Sequence, residues 1–404
     1  MGKRSKPVAR LTISNARSTP QSRFPLVTLG FRPFFLGASL FSVVTIALWM
    51  AVYVFGLVLP LENLTPSQWH AHEMIYGYSM AVIAGFLLTA VRNWTRIQTP
   101  SGTPLMALFS LWAAPRILFL FGTTYVFIAA ILDLLFMLLL TGAVLFPIIK
   151  VKQWRQAGVM AKLIFLAGGH VMFFLGIGGY VERGVYWSLY GGLYLVIGLI
   201  MTMGARIIPT FIQNGVGYEV ELYNAKWLGI TSLLLYLVFF VSEMFLSKES
   251  LTAWVSAGLF VVTTIRLLGW HTAGLWKKPL LWSLFLAFIF IDAGFLLFAV
   301  RPFLGLAKFI PMHAMAFGGI GLITLGMMAR VSLGHSGRSI HNPPKILLYS
   351  FLAIALGAMV RVGVSVIDAG HYSTWMAVAQ SCWVLGFVLF VVPYAPILVG
   401  PDIE

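Results

Sequence analysis

The chain has 404 residues, of which 60% are hydrophobic and 10% charged, and its mean hydropathy is +0.92. This composition leaves too little polar surface for a soluble globular protein of that length, so it excludes that class. The net charge of +15 could suggest nucleic acid, but beside apolar spans it indicates contact with anionic lipid at the cytoplasmic face. We therefore expect membrane lipid, and no nucleic acid, as a partner. The single cysteine, Cys382, excludes an intramolecular disulfide.

The first 30 residues are a basic segment that precedes the apolar runs. Seven lysines and arginines come before the first acidic residue, Glu62. Because no apolar run follows them before Phe31, we do not expect a cleaved signal peptide. Residues 1–30 are predicted to be a cytoplasmic tail that is mobile to about Ser22, and residues 401–404 a second, short cytoplasmic tail.

Twelve apolar runs of about 20 residues or more follow in chain order, each long enough to cross a bilayer as a helix. They are predicted at 34–59, 69–91, 104–121, 124–149, 160–181, 186–212, 227–246, 251–275, 279–300, 308–333, 346–368 and 372–399. The fold class is therefore all-α, a polytopic membrane helical bundle of about 12 transmembrane helices. Residues 31–400 are predicted to form a single transmembrane domain.

The distribution of lysine and arginine predicts the orientation of the bundle. Twenty of these residues fall at the ends of the spans that share a side with the two termini, and four fall at the opposite ends. Since positive residues collect on the cytoplasmic side, both termini are predicted to be cytoplasmic. Three further arginines, Arg116, Arg266 and Arg361, lie within spans.

The second span opens with the sequence WHAHEM, from Trp69 to Met74. Ionisable residues are costly inside a bilayer, so each needs a partner or a task, and neutral imidazole is a common ligand for haem iron and copper. On a regular helix His70 and His72 point about 200° apart. The two side chains can therefore bind one metal ion only if His70 still precedes the helix; otherwise they serve different partners.

A short internal similarity links the second and tenth spans. HEMIYG, from His72, and HAMAFG, from His313, share a histidine, a methionine, an aromatic residue and a glycine at the same spacing. Both helices run inward, so the two histidines are predicted to lie at similar depth near the outer face. A chance match between glycine-rich helices explains the similarity equally well.

Two further features leave alternatives open. Glycines surround His170 and follow His313, and they permit either the close approach of a planar ligand such as a porphyrin or close helix packing. Arg116 and Arg361 suit an anion or a propionate group, but they could equally pair with Asp133, Asp292 or Asp368. The sequence does not choose between these readings.

The chain resembles the NnrS family along nearly its whole length. The resemblance rests on FRPFF (Phe31–Phe35), WHAHEM, AVIAGFLLTAVRNWT (Ala81–Thr95), ARIIPTFIQNG (Ala205–Gly215), PLLW (Pro279–Trp282) and HAMAFGGIGLITLGMMARVSLGHSGR (His313–Arg338). One departure is Phe285, which occupies a region where a histidine is expected in many relatives. A histidine at that position is therefore not indispensable as a ligand.

The resemblance implies a multi-pass protein of the bacterial inner membrane that contains haem, of b type, and copper and acts in the nitric oxide response. It implies haem ligation by His72 and His313, a copper or second-ligand role for His70 and His170, and a catalytic, proton-handling or supporting role for Glu73. The remaining cofactor-binding candidates are His271, Arg116, Arg206 and Arg361.

Three functions follow as hypotheses. The first is a haem- and copper-binding membrane protein that binds or turns over nitric oxide (NO) and relieves nitrosative stress. The second is a nitric oxide reductase that takes electrons from quinol and converts 2 NO to N2O. The third is a secondary transporter without haem, which predicts a repeat of six helices that the sequence does not display.

Overall fold

The structure is a computed structural model that describes residues 24–61, 64–122, 125–246 and 248–403, and this part of the chain contains helices and no strand. Twelve helices are long and apolar enough to span a membrane, as predicted. They are α1 Phe31–Tyr53, α2 Pro66–Thr95, α3 Thr103–Phe121, α4 Val126–Lys150, α5 Trp154–Ile177, α6 Gly184–Gly215, α7 Lys226–Leu246, α8 Glu249–Trp270, α9 Pro279–Leu304, α10 Phe309–His335, α11 Leu347–Ile367 and α12 Ala369–Val399. The mobile tail predicted as far as Ser22 lies outside the described residues.

The beginning of α1 and the end of α12 are joined at one end of the bundle. Arg32 is fully buried, and its Nη1 donates hydrogen bonds to the carbonyl oxygens of Leu398 (2.9 Å) and Gly400 (2.7 Å). Its Nη2 pairs with Asp402. A guanidinium can satisfy several unpaired carbonyls at a helix end at once, so one side chain holds the chain's last residues against its first span.

Helices α2 and α10 form the centre of the bundle. In their most apolar stretches 83% and 78% of residues are buried, compared with 22% in α5. A helix buried on all sides contacts protein rather than lipid. The polar side chains of α2 and α10 therefore face other helices.

The two central helices share an unusual backbone. In each, a short α-helical start ends at a histidine, His72 or His313, and a seven-residue π-helix follows, Glu73–Ser79 in α2 and Ala314–Ile320 in α10. The internal similarity between HEMIYG and HAMAFG thus corresponds to a repeated local structure. π-Helical turns are rare and frequently mark functional sites.

The start of α2 is fixed by a capping box. The Thr65 hydroxyl accepts a hydrogen bond from the backbone N–H of Gln68 (3.3 Å), and Gln68 Oε1 accepts one from the backbone N–H of Thr65 (2.9 Å). Pro66 occupies the first helical position. His70 therefore lies inside the helix. The two histidines of WHAHEM accordingly point to different sides of α2.

The cytoplasmic location of both termini is a prediction that reporter fusions can test. We expect green fluorescent protein to fluoresce at either terminus, because it matures in the cytoplasm, and alkaline phosphatase to be inactive there. A phosphatase inserted at Glu182, between α5 and α6, should be active and serves as the control. An active phosphatase at the C-terminus would contradict the orientation.

Candidate metal centre and adjoining cavity

Five buried polar side chains meet where α2, α3, α4 and α5 come together. They are His72, Glu73, Arg116, Asp133 and His170, and we call them the histidine–carboxylate cluster. None is more than 5% exposed. Because ionisable groups are costly in an apolar interior, each must be satisfied by another member or by a bound ion.

Three members direct a ligand atom towards a common point. The Nε2 atoms of His72 and His170 lie 3.1 Å apart, and Asp133 Oδ2 lies 3.3 Å from Nε2 of His170 and 4.0 Å from Nε2 of His72. Two imidazole nitrogens bound to one tetrahedral ion at about 2.0–2.1 Å would be about 3.3 Å apart. The observed spacing therefore suits a shared metal ion.

Glu73 sets the protonation pattern of His72. Its Oε1 lies 2.8 Å from His72 Nδ1, and because a carboxylate accepts hydrogen bonds, Nδ1 carries the proton. Nε2 of His72 then carries the lone pair and faces His170 Nε2, where it can accept a hydrogen bond or bind a metal ion. A carboxylate behind a ligating histidine is the usual way in which proteins orient and strengthen such a ligand.

Arg116 links the two carboxylates of the cluster. Its Nη1 donates to both Glu73 oxygens at 3.1 Å, and its Nη2 pairs with Asp133. One cation against two carboxylates leaves one net negative charge when the imidazoles are neutral. That negative charge favours binding of a cation. Asp133 Oδ1 and His170 Nδ1 are also buried and lack a hydrogen-bond partner among the described residues, so the cluster has polar atoms still to be satisfied.

Aromatic rings enclose the two imidazoles. The Tyr76 ring stacks on His170 with centroids 4.1 Å apart, and Phe173 stacks on His72 at 4.0 Å. A Cβ at Gly169 or Gly192 would lie 2.9 Å from the Tyr76 hydroxyl, so these glycines make room for that ring. Gly169 therefore serves packing between protein groups, whereas a Cβ at Gly168 would meet nothing within 4 Å.

A separate cavity of about 380 Å³ lies on another side of α2. We call it the aromatic cavity. It is lined by residues of α1, α2, α10, α11 and α12, among them Trp49, Tyr53, His70, Phe309, His313, Phe317, Arg361, Tyr372 and Trp383. Its walls are mostly apolar and aromatic with a few polar groups, as in many ligand-binding cavities.

The polar groups of the aromatic cavity have unused hydrogen-bonding capacity. His313 Nδ1–H donates to the Phe309 carbonyl (2.7 Å), and Nε2 accepts a long hydrogen bond from Arg361 Nη2 (3.5 Å). Arg361 Nη1 and His70 Nδ1 are buried without a partner among the described residues. The His70 ring stacks on Trp49 with centroids 4.6 Å apart.

The profile of the family described as NnrS protein matches residues 25–401. The chain belongs to the NnrS family. A search of curated proteins finds no match. The NnrS resemblance inferred from the motifs is thereby confirmed over nearly the full length of the chain, and so is its character as a multi-pass membrane protein.

The histidines of this NnrS chain are paired differently from the predicted arrangement. His72 meets His170 rather than His313, whereas His70 and His313 line one cavity. The likeness between the starts of α2 and α10 places His72 and His313 in equivalent backbone positions, but the two side chains enter different sites.

Two predicted cofactor-binding residues join neither group. His271 is exposed at the end of α8 and accepts a hydrogen bond from Trp276 Nε1 (3.1 Å). Arg206 lies near the far end of α6, where it donates to the Gln156 side chain (3.0 Å). Both belong to the end of the bundle opposite the histidine–carboxylate cluster.

Sequence analysis did not include Asp133 among the metal-ligand candidates. It was considered as a possible partner for an arginine, and the structure shows that it does pair with Arg116. One feature of the sequence could have identified it. Asp133 lies in the middle of its span, and no nearby residue of that span neutralises its charge. Its position beside His72 and His170 depends on how α4 packs, which spacing along the chain does not reveal.

The charge balance of the cluster predicts the effect of removing Arg116. Arg116→Met should lower the free energy of unfolding by about 3–5 kcal/mol, because it leaves two buried carboxylates without their cation. The triple variant Arg116→Met/Glu73→Gln/Asp133→Asn should recover much of that loss. Thermal unfolding of purified protein in detergent measures both, and a single variant as stable as wild type would contradict the pairing.

Proposed function

We propose that this protein is a haem- and copper-binding component of the nitric oxide response in the bacterial inner membrane. Membership of the NnrS family supports the role in that response. The observation that carries the metal-binding part is the convergence of His72, His170 and Asp133, whose ligand atoms all lie within 4.8 Å of one another. Stability alone does not explain why two imidazoles converge on a carboxylate among apolar helices, and such buried clusters are candidates for functional sites.

Copper fits the histidine–carboxylate cluster. Imidazole nitrogens suit copper, and the cluster holds two of them beside a carboxylate. His72, His170 and Asp133 would hold the ion, Glu73 would orient His72, and Arg116 would keep Asp133 in place. A copper ion bound here supplies one-electron redox chemistry and a site of affinity for NO.

The side chains of the aromatic cavity have the chemistry that a haem site requires. His313 presents Nε2 to the cavity, where its one long hydrogen bond from Arg361 (3.5 Å) would give way to the iron, and its Nδ1–H is bonded to a carbonyl, the usual state of a ligating histidine. Arg361 has an unpaired Nη1 that suits a propionate, and rings such as Trp49, Phe317 and Trp383 provide flat apolar surface. A haem bound here supplies an iron that takes up NO as a ligand.

The two sites adjoin each other across α2, since His70 and His72 are two residues apart and face opposite sides. The membrane location suits the substrate, because NO is small, uncharged and apolar enough to enter through lipid. The histidine–carboxylate cluster is buried, and Glu73 and Asp133 are the carboxylates beside its ligand nitrogens. The adjoining sites also support the second hypothesis, reduction of 2 NO to N2O with electrons from quinol.

Metal and haem contents of single variants test the assignment of the two sites. His170→Ala should lower copper content by at least about tenfold and retain haem, whereas His313→Ala should do the reverse, because the two side chains enter different sites. His371→Ala, an exposed histidine paired with Asp368, is the control and should change neither. Elemental analysis and the visible absorption spectrum report the two contents.

Loss of haem in His170→Ala with copper unchanged would refute the assignment. A wild-type protein without a Soret band would instead favour the transporter hypothesis. Anaerobic addition of NO should shift the Soret band of reduced wild-type protein. Consumption of NO with reduced quinol, at a rate above that of free haem, would identify the protein as a reductase, and a spectral shift without turnover would identify it as a binding or sensing protein.

A further inference from the structure

A second large cavity lies at the end of α2 and α10 opposite to His72 and His313. Its volume is about 650 Å³, and we call it the basic cavity. It lies between the ends of α2, α6 and α10 and the beginning of α5. Three segments that sequence analysis singled out, Ala81–Thr95, Ala205–Gly215 and His313–Arg338, contribute to its wall, and the proposed function uses none of the residues they place there.

The mouth of the basic cavity is polar and positively charged. Arg155 and Arg206 lie beside Asn93, Gln153, Gln156 and His335, and none of the described residues that line the cavity carries a carboxylate. Arg206 donates to the Gln156 side chain (3.0 Å) and to the Arg155 carbonyl (3.3 Å), both neutral groups. Within the described parts of the chain, no carboxylate forms an ion pair with either arginine.

The interior of the same cavity is apolar. Phe86, Met203, Ile207, Phe211 and Met327 form its floor and walls. Arg330 does not line the cavity, but it packs on the Phe211 ring, with its guanidinium carbon 3.9 Å from the ring centroid. An occupant must therefore combine an anionic group at the mouth with an apolar part that reaches inward.

We propose that the basic cavity binds an anionic phospholipid. The phosphate lies between Arg155 and Arg206, and part of the apolar chain lies against Phe211 and Met327. Guanidinium groups bind phosphate through paired, charge-assisted hydrogen bonds, and basic pockets between transmembrane helices are known to accept anionic lipid headgroups. A neutral quinone would not require two arginines that have no ion pair among the described residues, and a soluble anion would not require the apolar interior.

A lipid bound here would contact α2 and α5, the helices that carry His72 and His170. Filling the space between their ends would resist any movement of one helix relative to the other. The lipid would therefore help to hold the spacing of the histidine–carboxylate cluster from the far end of the bundle. This inference is independent of the cofactor assignments, because it rests on a different cavity.

Lipid binding by delipidated, purified full-length protein tests the proposal. Phosphatidylglycerol should raise the midpoint of thermal unfolding in a saturable manner, and phosphatidylcholine should not. In Arg155→Gln/Arg206→Gln the apparent affinity for phosphatidylglycerol should fall by about 30-fold, since two cations near the headgroup are lost. Native mass spectrometry should show about one retained phosphatidylglycerol per wild-type chain, in keeping with a single site of this size.

The matched control is Lys226→Gln/Lys277→Gln, which removes two exposed charges at the same end of the bundle but away from the cavity. It should bind phosphatidylglycerol as wild type does. Equal stabilisation by phosphatidylcholine, unchanged affinity in the double arginine variant, or an equal loss in the control would overturn the proposal. So would stabilisation by inorganic phosphate alone, because it would identify a site for a soluble anion. If the arginine variant does not fold, the comparison of the two lipids on wild type still decides.

Discussion

The pairing of Arg116 with Glu73 and Asp133 is the constraint on which the described site depends. Three spans meet at this one guanidinium, because Glu73 is on α2, Arg116 on α3 and Asp133 on α4. In an apolar interior none of these groups can remain charged without the others. The arginine therefore fixes how the three helices pack, and it holds both carboxylates where they can act on the histidines beside them. A neutral side chain of similar size could fill the space, but it could not set those positions.

The π-helical turns explain how buried helices can present such groups. A π turn adds a residue to the helix and shifts the side chains after it around the axis. In α2 the π turn begins at Glu73, whose carboxylate contacts both His72 and Arg116. Gly77 leaves space beside them, because a Cβ at Gly77 would lie 3.1 Å from Glu73 Oε2 and 3.2 Å from Arg116 Nη1. The α11 turn, Val360–Val364, contains Arg361 of the aromatic cavity. Local departures from α-helical geometry thus coincide with the polar groups of both sites.

Sequence reasoning predicts the fold well and the site incompletely, for physical reasons. Span length and hydropathy are properties of single segments, so all twelve helices are visible in the sequence. The opposite orientations of His70 and His72 follow from helix geometry alone. The pairing of His72 with His170 instead depends on contact between α2 and α5, and the placement of Asp133 depends on α4. Neither contact leaves a periodic pattern, because the residues come from different helices.

The position of the two histidines on α2 has a consequence for how the sites can communicate. The peptide units of residues 70–72 form part of the wall between the histidine–carboxylate cluster and the aromatic cavity. His72 is bonded to Glu73, which is paired with Arg116, whereas His70 is held by stacking on Trp49. Stacking permits small movements that a buried ion pair does not. Any adjustment of α2 on ligand binding should therefore appear first at His70, on the side of the aromatic cavity, while the geometry of the cluster is preserved.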